Sequence, residues 1–162
     1  MRYLMKQKWL AFGDDFTIED DAGNKVYYVD GRALSIGDKL SFQDMAGNEL
    51  AFISQKLLAW GKTYYIYRGG AVAAVVKKSI FTLFRCEFTV DVPGPNDLVA
   101  EGNFLDHEYT FTKHGSLVAA VSKKWFRFTD TYGIDVVPGE DDVLILCAAV
   151  VIDLCCHDDG KH

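Results

Sequence analysis

Residues 140–157, which read EDDVLILCAAVVIDLCCH, form the most apolar part of the chain. Their interior from Val143 to Ile152 is apolar on every face of a helix, and such a helix has to be enclosed by protein. Pro138 and Gly139 break the preceding strand, and the three acidic residues that follow supply an N-cap and a charge that suits the helix dipole. The sequence therefore predicts a buried C-terminal helix over about 140–157.

The same segment is too short for a membrane anchor. It runs for ten apolar residues before Asp153, whereas a transmembrane helix needs ~20. The N-terminal residues 1–8 are interrupted by charge and lack the pattern of a signal peptide. None of the four cysteines is in a CxxC pair, and we expect them to be buried thiols. We therefore expect a protein of the reducing cytoplasm that does not cross the membrane.

Everything before Pro138 has the pattern of strands joined by turns. The motif Asp-x-Ala-Gly-Asn occurs at residues 20–24 and again at 44–48, each time between two strand-like stretches. Glycine allows the positive backbone angle of a tight turn, and the Asp side chain bonds nearby backbone groups. These motifs predict two hairpins.

A longer internal similarity relates residues 69–78 (GGAVAAVVKK) to residues 115–124 (GSLVAAVSKK), with seven of ten positions identical. Each copy lies between strand-like stretches, so each is predicted to be the middle of a meander. Strands followed by one helix argue against alternating βαβ units. The prediction is a mainly β domain, a sheet or barrel with pseudo-symmetric halves.

Length and charge narrow the class of protein further. The 162 residues, with 49% apolar and 25% charged residues, suit one globular domain, and no linker divides the chain. We therefore predict a single domain over residues 1–162. The net charge of −6 repels phosphate backbones, so nucleic acid is not an expected partner.

The chain resembles the LURP-one-related family of the tubby C-terminal-like superfamily, in particular its short YxjI-type members from bacilli. The resemblance is carried by residues 1–8 (MRYLMKQK), 30–38 (DGRALSIGD) and the helix from Asp142 to Asp153. It implies a closed antiparallel barrel of about twelve strands around one hydrophobic C-terminal helix. It implies no enzyme chemistry; better-known relatives are phosphoinositide-binding tubby domains and phospholipid scramblases.

The recurring lysine pairs are the candidate ligand-binding residues. If neighbouring strands brought them together, they and the arginines that follow would grip a phosphorylated headgroup. Adjacent strand residues point to opposite faces, so only one lysine of each pair can line one site, and solvated strand ends are the simpler interpretation. The candidates are Lys77, Lys78, Arg85, Lys123, Lys124 and Arg127.

Other catalytic patterns fail on spacing. Asp153 and His157 share a helix face, but Cys156 points about 100° away from His157, so helix-end structure explains them better than a nucleophile set. Residues 61–63 (GKT) resemble the end of a P-loop, yet Lys56 stands where its first glycine belongs. No histidine, cysteine or acidic cluster has metal-ligand spacing. We predict no catalytic residues, metal or cofactor.

Two functions are compatible with these patterns. The first is a non-enzymatic cytoplasmic binding or regulatory module for an anionic ligand, a phospholipid headgroup or a protein partner. The alternative is an enzyme with an unrecognised site in a rim pocket; a polar pocket holding His107 or His114 would favour it.

Overall fold

The structure, a computed structural model, describes residues 1–10, 13–31, 39–56, 62–82, 85–125 and 131–159. Within these residues the chain forms twelve β-strands followed by one α-helix. In chain order they are β1 (Arg2–Leu10), β2 (Gly13–Glu19), β3 (Lys25–Gly31), β4 (Lys39–Asp44), β5 (Glu49–Gln55), β6 (Thr63–Arg68), β7 (Ala71–Thr82), β8 (Arg85–Asp91), β9 (Leu98–Asn103), β10 (Glu108–Lys113), β11 (Ser116–Ser122), β12 (Thr131–Val136) and α1 (Asp142–Asp159).

The strands close into one antiparallel barrel in which each strand pairs with its neighbours in sequence. The seam is formed by β1, which pairs with β2 on one side and with β12 on the other. The N-terminal ammonium of Met1 adds a 2.6 Å hydrogen bond to the carbonyl oxygen of Val136. The predicted closed barrel with a C-terminal helix is therefore confirmed.

Both predicted Asp-x-Ala-Gly-Asn hairpins form, and with the same bonds. The carboxylate of Asp20 accepts the backbone N–H groups of Ala22 and Asn24 at 2.9 Å each. The corresponding bonds of Asp44 in the β4–β5 turn have the same lengths. Gly23 and Gly47 take φ angles of 82° and 87° in these turns. The bonds to the turn lower the pKa of each aspartate, chiefly through Asn24 and Asn48.

The two copies of the longer repeat begin with equivalent turns. Gly69 and Gly70, between β6 and β7, have φ angles of 59° and 81°. His114 and Gly115, between β10 and β11, have φ angles of 50° and 79°. Positive φ at both central residues is the two-residue turn whose twist matches that of a hairpin. Each copy is therefore a turn followed by the middle strand of a meander, as predicted.

The helix α1 fills the inside of the barrel. Asp141 is its N-cap, because its carboxylate accepts the N–H of Leu144 at 3.2 Å. Every residue from Ile145 to Ile152 is at most 1% exposed, as an all-apolar helix requires. On the strands nearest to α1, Ala51 of β5 and Ala74 of β7 are buried small residues that let the helix approach closely. Large buried side chains fill other parts of the core: Phe16, Phe42, Phe88 and Phe111.

Truncation of the helix core tests this packing. Leu146 and Val150 lie one turn apart and are 0% exposed. We expect Leu146→Ala to lower the free energy of unfolding by about 2–4 kcal/mol, because transfer energy is lost and a cavity remains. Ala149→Asp should be more damaging, since it places a charge without a partner in an apolar interior. Urea unfolding followed by circular dichroism measures both.

The exposed Leu117 provides the control for these variants, and Leu117→Ala should change stability by less than ~0.5 kcal/mol. A fragment of residues 1–139 should be insoluble or unfolded, because its strands would surround an empty core. A soluble 1–139 fragment that melts cooperatively would contradict the enclosed helix.

Candidate functional site

The two ends of the barrel differ in which end of α1 they hold. Strand β12 ends at the point where α1 begins, and α1 then runs back through the barrel, so its last turns lie at the opposite end. We call that opposite end the lower rim. It is formed by the ends of odd-numbered strands such as β5, β7 and β11 and the starts of even-numbered strands such as β6, β8 and β12.

Both predicted lysine pairs lie toward the lower rim, but on strands that are not neighbours. Lys77 and Lys78 are on β7, and Lys123 and Lys124 directly follow β11. Strands β8, β9 and β10 stand between β7 and β11. Four strand spacings amount to about 19 Å around the wall. The two lysine pairs are therefore not brought together by neighbouring strands. Ligand binding by these residues stays a prediction.

The predicted side chains have different surroundings. Lys77 faces outward and forms a 3.2 Å ion pair with Asp91 on β8. Lys78 continues the inward alternation of the buried Ala74 and Val76 and is half-buried. The backbone N–H of Lys123 donates to the Glu108 carboxylate at 3.1 Å. Lys124 is exposed, the side chain of Arg85 lies outside the described residues, and Arg127 lies outside them entirely.

The structure unites Lys77 and Lys78 with two lysines that sequence reasoning missed. The N–H of Lys56, just after β5, donates to the Thr63 carbonyl oxygen at 2.8 Å, and Thr63 is paired with Lys77 across β6 and β7. The N–H of Lys78 donates to the carbonyl oxygen of Lys62 at 3.2 Å. The backbones of four lysines, two on β7, one just after β5 and one just before β6, are thus adjacent toward the lower rim. We call Lys56, Lys62, Lys77 and Lys78 the lysine cluster.

The lysine cluster lies against the end of the helix. The ammonium group of Lys62 donates a 3.0 Å hydrogen bond to the carbonyl oxygen of Cys155. Cys155 lies in the last two turns of α1, toward the negative end of the helix dipole. Lys62 therefore already stabilises negative charge at this position.

A signal for this cluster was present in the sequence. Residues 50–86 contain six cationic side chains and no acidic one. The rest of the chain holds the other 17 − 6 = 11 cationic side chains and all 23 acidic ones. Its formal charge is therefore −12, whereas that of residues 50–86 is +6. Because the segment folds into β5, β6, β7 and the start of β8, its charge is concentrated on one sector of the barrel. The cations are Lys56, Lys62, Arg68, Lys77, Lys78 and Arg85.

Asp153 has partners that its helical spacing does not reveal. It is only 6% exposed, and its carboxylate accepts a 3.2 Å hydrogen bond from the Tyr132 hydroxyl. The Nε2 atom of His107 lies 3.6 Å from the other carboxylate oxygen. The His107 ring also stacks on Tyr132, with centroids 4.3 Å apart. The side chain of His157 lies outside the described residues.

A glycine allows the turn that carries His107 to form. Gly102 of β9 is paired with Tyr109 of β10 and has a φ of 140°. A Cβ atom at Gly102 would lie 2.7 Å from the Tyr109 Cα, so only glycine permits this approach of the two strands. His107 itself has a φ of 52° in the turn between them. The turn thus places His107 beside Asp153.

This buried cluster favours neutral side chains over reactive ones. Burial, and next the nearby Asp153 carboxylate, raises the pKa of both Tyr109 and Tyr132 well above the usual value. Burial likewise raises the pKa of the Cys147 thiol. His114 lies at the other end of the barrel, where its Nε2 atom is 2.7 Å from the carbonyl oxygen of Pro95.

Across residues 1–10, 13–31, 39–56, 62–82, 85–125 and 131–159, no three histidine, cysteine or acidic side chains gather as a metal site. The helix found in those ranges falls short of the length and apolarity needed to cross a bilayer.

A closed antiparallel barrel filled by its own C-terminal helix is the tubby C-terminal-like architecture. Within it, the sequence matches the LURP-one-related family over residues 1–153, and the chain belongs to that family. The chain is 32% identical over 156 residues to the uncharacterised protein YxjI of Bacillus subtilis strain 168, across 96% of this chain and 94% of YxjI.

A solved structure shares the architecture. An Arabidopsis thaliana protein matches the fold with a TM-score of 0.66 at 19% identity, across 99% of this chain and 92% of that protein. At that identity the likeness concerns the fold alone. The resemblance noted in the sequence is confirmed, and the family identifies no ligand or activity for this chain.

The pKa shifts of the tyrosines predict sensitivity to alkali. Five tyrosines have a raised pKa, and in four of them burial is the largest cause. In the fifth, Tyr28, a hydrogen bond to Asp15 is the largest cause, and the pKa is raised to about 12. The unfolded chain ionises near the ordinary value of 10.0. Stability should therefore be fully present below pH 10 and fall as the pH rises above it. The five are Tyr3, Tyr27, Tyr28, Tyr109 and Tyr132.

Parallel pH titrations of phenolate absorbance and far-ultraviolet circular dichroism check this expectation. The absorbance change of the buried tyrosines should coincide with the loss of β structure. Ionisation of all eight tyrosines near pH 10 in a protein that keeps its circular dichroism would contradict it.

Proposed function

We propose that this chain is a non-enzymatic cytoplasmic binding module that holds an anionic ligand, such as a phosphorylated headgroup or a free phosphate compound, at the lysine cluster. The observation that carries the proposal is the adjacency of four lysine backbones on β7 and at the neighbouring ends of β5 and β6. They belong to residues 50–86, a stretch that contains no acidic residue on a chain whose net charge is −6, and Asp91, the partner of Lys77, lies on the adjacent strand β8.

The barrel interior supports a binding role over catalysis. Small-molecule enzymes need a cavity in which the substrate is surrounded by protein. Here α1 occupies the barrel, with Leu146 through Val151 at 0% exposure. A ligand therefore has to bind at a rim or on the outer wall, where the lysine cluster lies.

The cluster offers both fixed and exchangeable cations. Lys62 and Lys78 occupy inward-facing positions at the barrel end, and Lys62 is held against Cys155. Lys77 and its partner Asp91 are 52% and 46% exposed, and an exposed ion pair contributes only ~0–1 kcal/mol. Lys77 can therefore exchange Asp91 for a multiply charged phosphate at little cost.

The enzyme alternative rests on His107 and Asp153, the acid–base pair found among the described residues of the lower rim. Asp153 also accepts a hydrogen bond from Tyr132, and the pair packs between the helix and the barrel wall. These contacts fit a role in holding the last turns of α1. We therefore propose a structural role for this pair.

Vesicle co-sedimentation tests the binding proposal, and the internal repeat supplies a matched pair of variants. Lys77→Glu/Lys78→Glu and Lys123→Glu/Lys124→Glu make the same charge change at equivalent positions of the internal repeat. Vesicles of phosphatidylcholine are compared with vesicles that also contain phosphatidylserine or phosphatidylinositol phosphate. We expect binding to the acidic vesicles only, a decrease at high salt, and a loss of about tenfold or more in the Lys77/Lys78 variant.

Thermal shift with inositol hexakisphosphate distinguishes a free phosphate ligand from a lipid headgroup. The Lys123/Lys124 variant should keep at least about half of the wild-type affinity in either assay, because screening weakens charges ~19 Å away. Equal binding to neutral vesicles would contradict the proposal. So would an absence of binding in both assays, or an equal loss in the two double variants.

A further inference from the structure

The outer wall beside the lysine cluster carries a row of aromatic side chains. Tyr65 and Tyr67 of β6 both face outward, with ring centroids 6.1 Å apart in an edge arrangement. Phe52 of β5 lies 6.5 Å from Tyr67 on the other side. Val72 of β7 is paired with Tyr67 and is 44% exposed. We call Phe52, Tyr65, Tyr67 and Val72 the aromatic wall.

A cation lies directly against this apolar surface. The ammonium group of Lys56 lies 5.5 Å from the centre of the Tyr65 ring. That position is within cation–π range and keeps the charge at the edge of the aromatic wall. Strands β6 and β7 contain no acidic residue. A partner that packs on Tyr65 therefore meets positive charge beside it and no negative charge on those two strands.

The closed barrel limits how a partner can be recognised. A peptide can extend a sheet only where a strand edge is unpaired, and every strand here is paired on both sides. Contact with β5–β7 has to be made through side chains. Tyrosines are effective anchors in such contacts, because each offers a large rigid surface with a polar tip.

From these observations we propose that the aromatic wall docks an acidic segment of a partner protein. An aliphatic or aromatic side chain of the segment packs against Tyr65 and Tyr67, and a neighbouring Asp or Glu pairs with Lys56. Lys56 belongs to both surfaces, but Tyr65 and Tyr67 lie outside the lysine cluster and Lys62 and Lys78 face inward, so the tyrosine variant tests this inference separately from the proposed anion site.

Two other occupants fit the surface less well. A membrane-surface element buries its whole apolar face ~5–10 Å into the headgroup region, whereas Tyr65 and Tyr67 are half-buried and pack edge to face on the wall. A two-fold contact with a second copy would bring two basic sectors together, and like charges facing each other oppose binding. An acidic partner segment needs no deep insertion of the tyrosines and brings negative charge to the basic sector.

Selection of short random peptides displayed on phage tests the proposal on the intact protein. Peptides that bind the wild type are counter-selected against Tyr65→Ala/Tyr67→Ala. We expect the survivors to place Asp or Glu within a few residues of an apolar side chain. In fluorescence anisotropy, labelled survivors should bind the double variant and Lys56→Glu at least about tenfold more weakly than the wild type.

Matched controls separate the docking surface from general effects. Leu117→Ala removes exposed apolar surface from β11, and Lys25→Glu reverses an exposed charge on β3. Both should bind the selected peptides as the wild type does. Lys56→Glu keeps the test valid if the tyrosine variant fails to melt cooperatively, because Lys56 is exposed.

Several results would overturn the proposal. The first is that the selection does not enrich acidic peptides, and the second is that the selected peptides bind the variants and the wild type equally. The third is that the protein sediments with vesicles in a Tyr65-dependent way and binds no peptide. The fourth is that it forms Tyr65-dependent dimers in analytical ultracentrifugation. The tyrosine variant should retain its binding to inositol hexakisphosphate or acidic vesicles, so failure here and failure of the anion site give different patterns.

Discussion

Enclosure of the apolar helix is the constraint on which the rest of this structure depends. Ten consecutive apolar residues in α1 leave no face that water can solvate favourably, so protein has to surround the helix on every side. A sheet of twelve antiparallel strands does this only when it closes, and closure also removes the edge strands that favour aggregation. The helix and the barrel therefore stabilise each other, since neither buries its apolar face alone.

The filled barrel also determines where function can lie. With the interior occupied, the protein meets other molecules through its rims and its outer wall. The distribution of charge then distinguishes one sector from the remainder, because residues 50–86 contain no acidic side chain. In that sector the lysine cluster and the aromatic wall are neighbours. Their chemistries differ, one suited to concentrated negative charge and the other to mixed apolar and acidic surfaces.

The end of the helix shows how polar groups are accommodated in such a fold. Asp153 interrupts the apolar face, and a buried carboxylate is costly unless it is bonded. Tyr132 and His107 supply those contacts from β12 and from the β9–β10 turn. Lys62 binds the carbonyl oxygen of Cys155 from another part of the rim. These contacts hold the last turns of α1 in register with the barrel.

The sequence by itself determined the elements and their class. An apolar run of helical length, its acidic N-cap and the repeated Asp-x-Ala-Gly-Asn turns act over a few residues, so helix α1 and the hairpins were predictable, and the family resemblance supplied the closure and the strand number. The tertiary structure alone decided which distant residues meet. The sequence left open whether Lys77 and Lys78 lie beside Lys123 and Lys124, and strand order places them with Lys56 and Lys62 instead. Asp153 was considered with His157, four residues away, but the β9–β10 turn brings His107 to it. Such pairings join residues that are far apart in sequence, and they depend on how the whole barrel closes around α1, which the spacing of residues along the chain does not show.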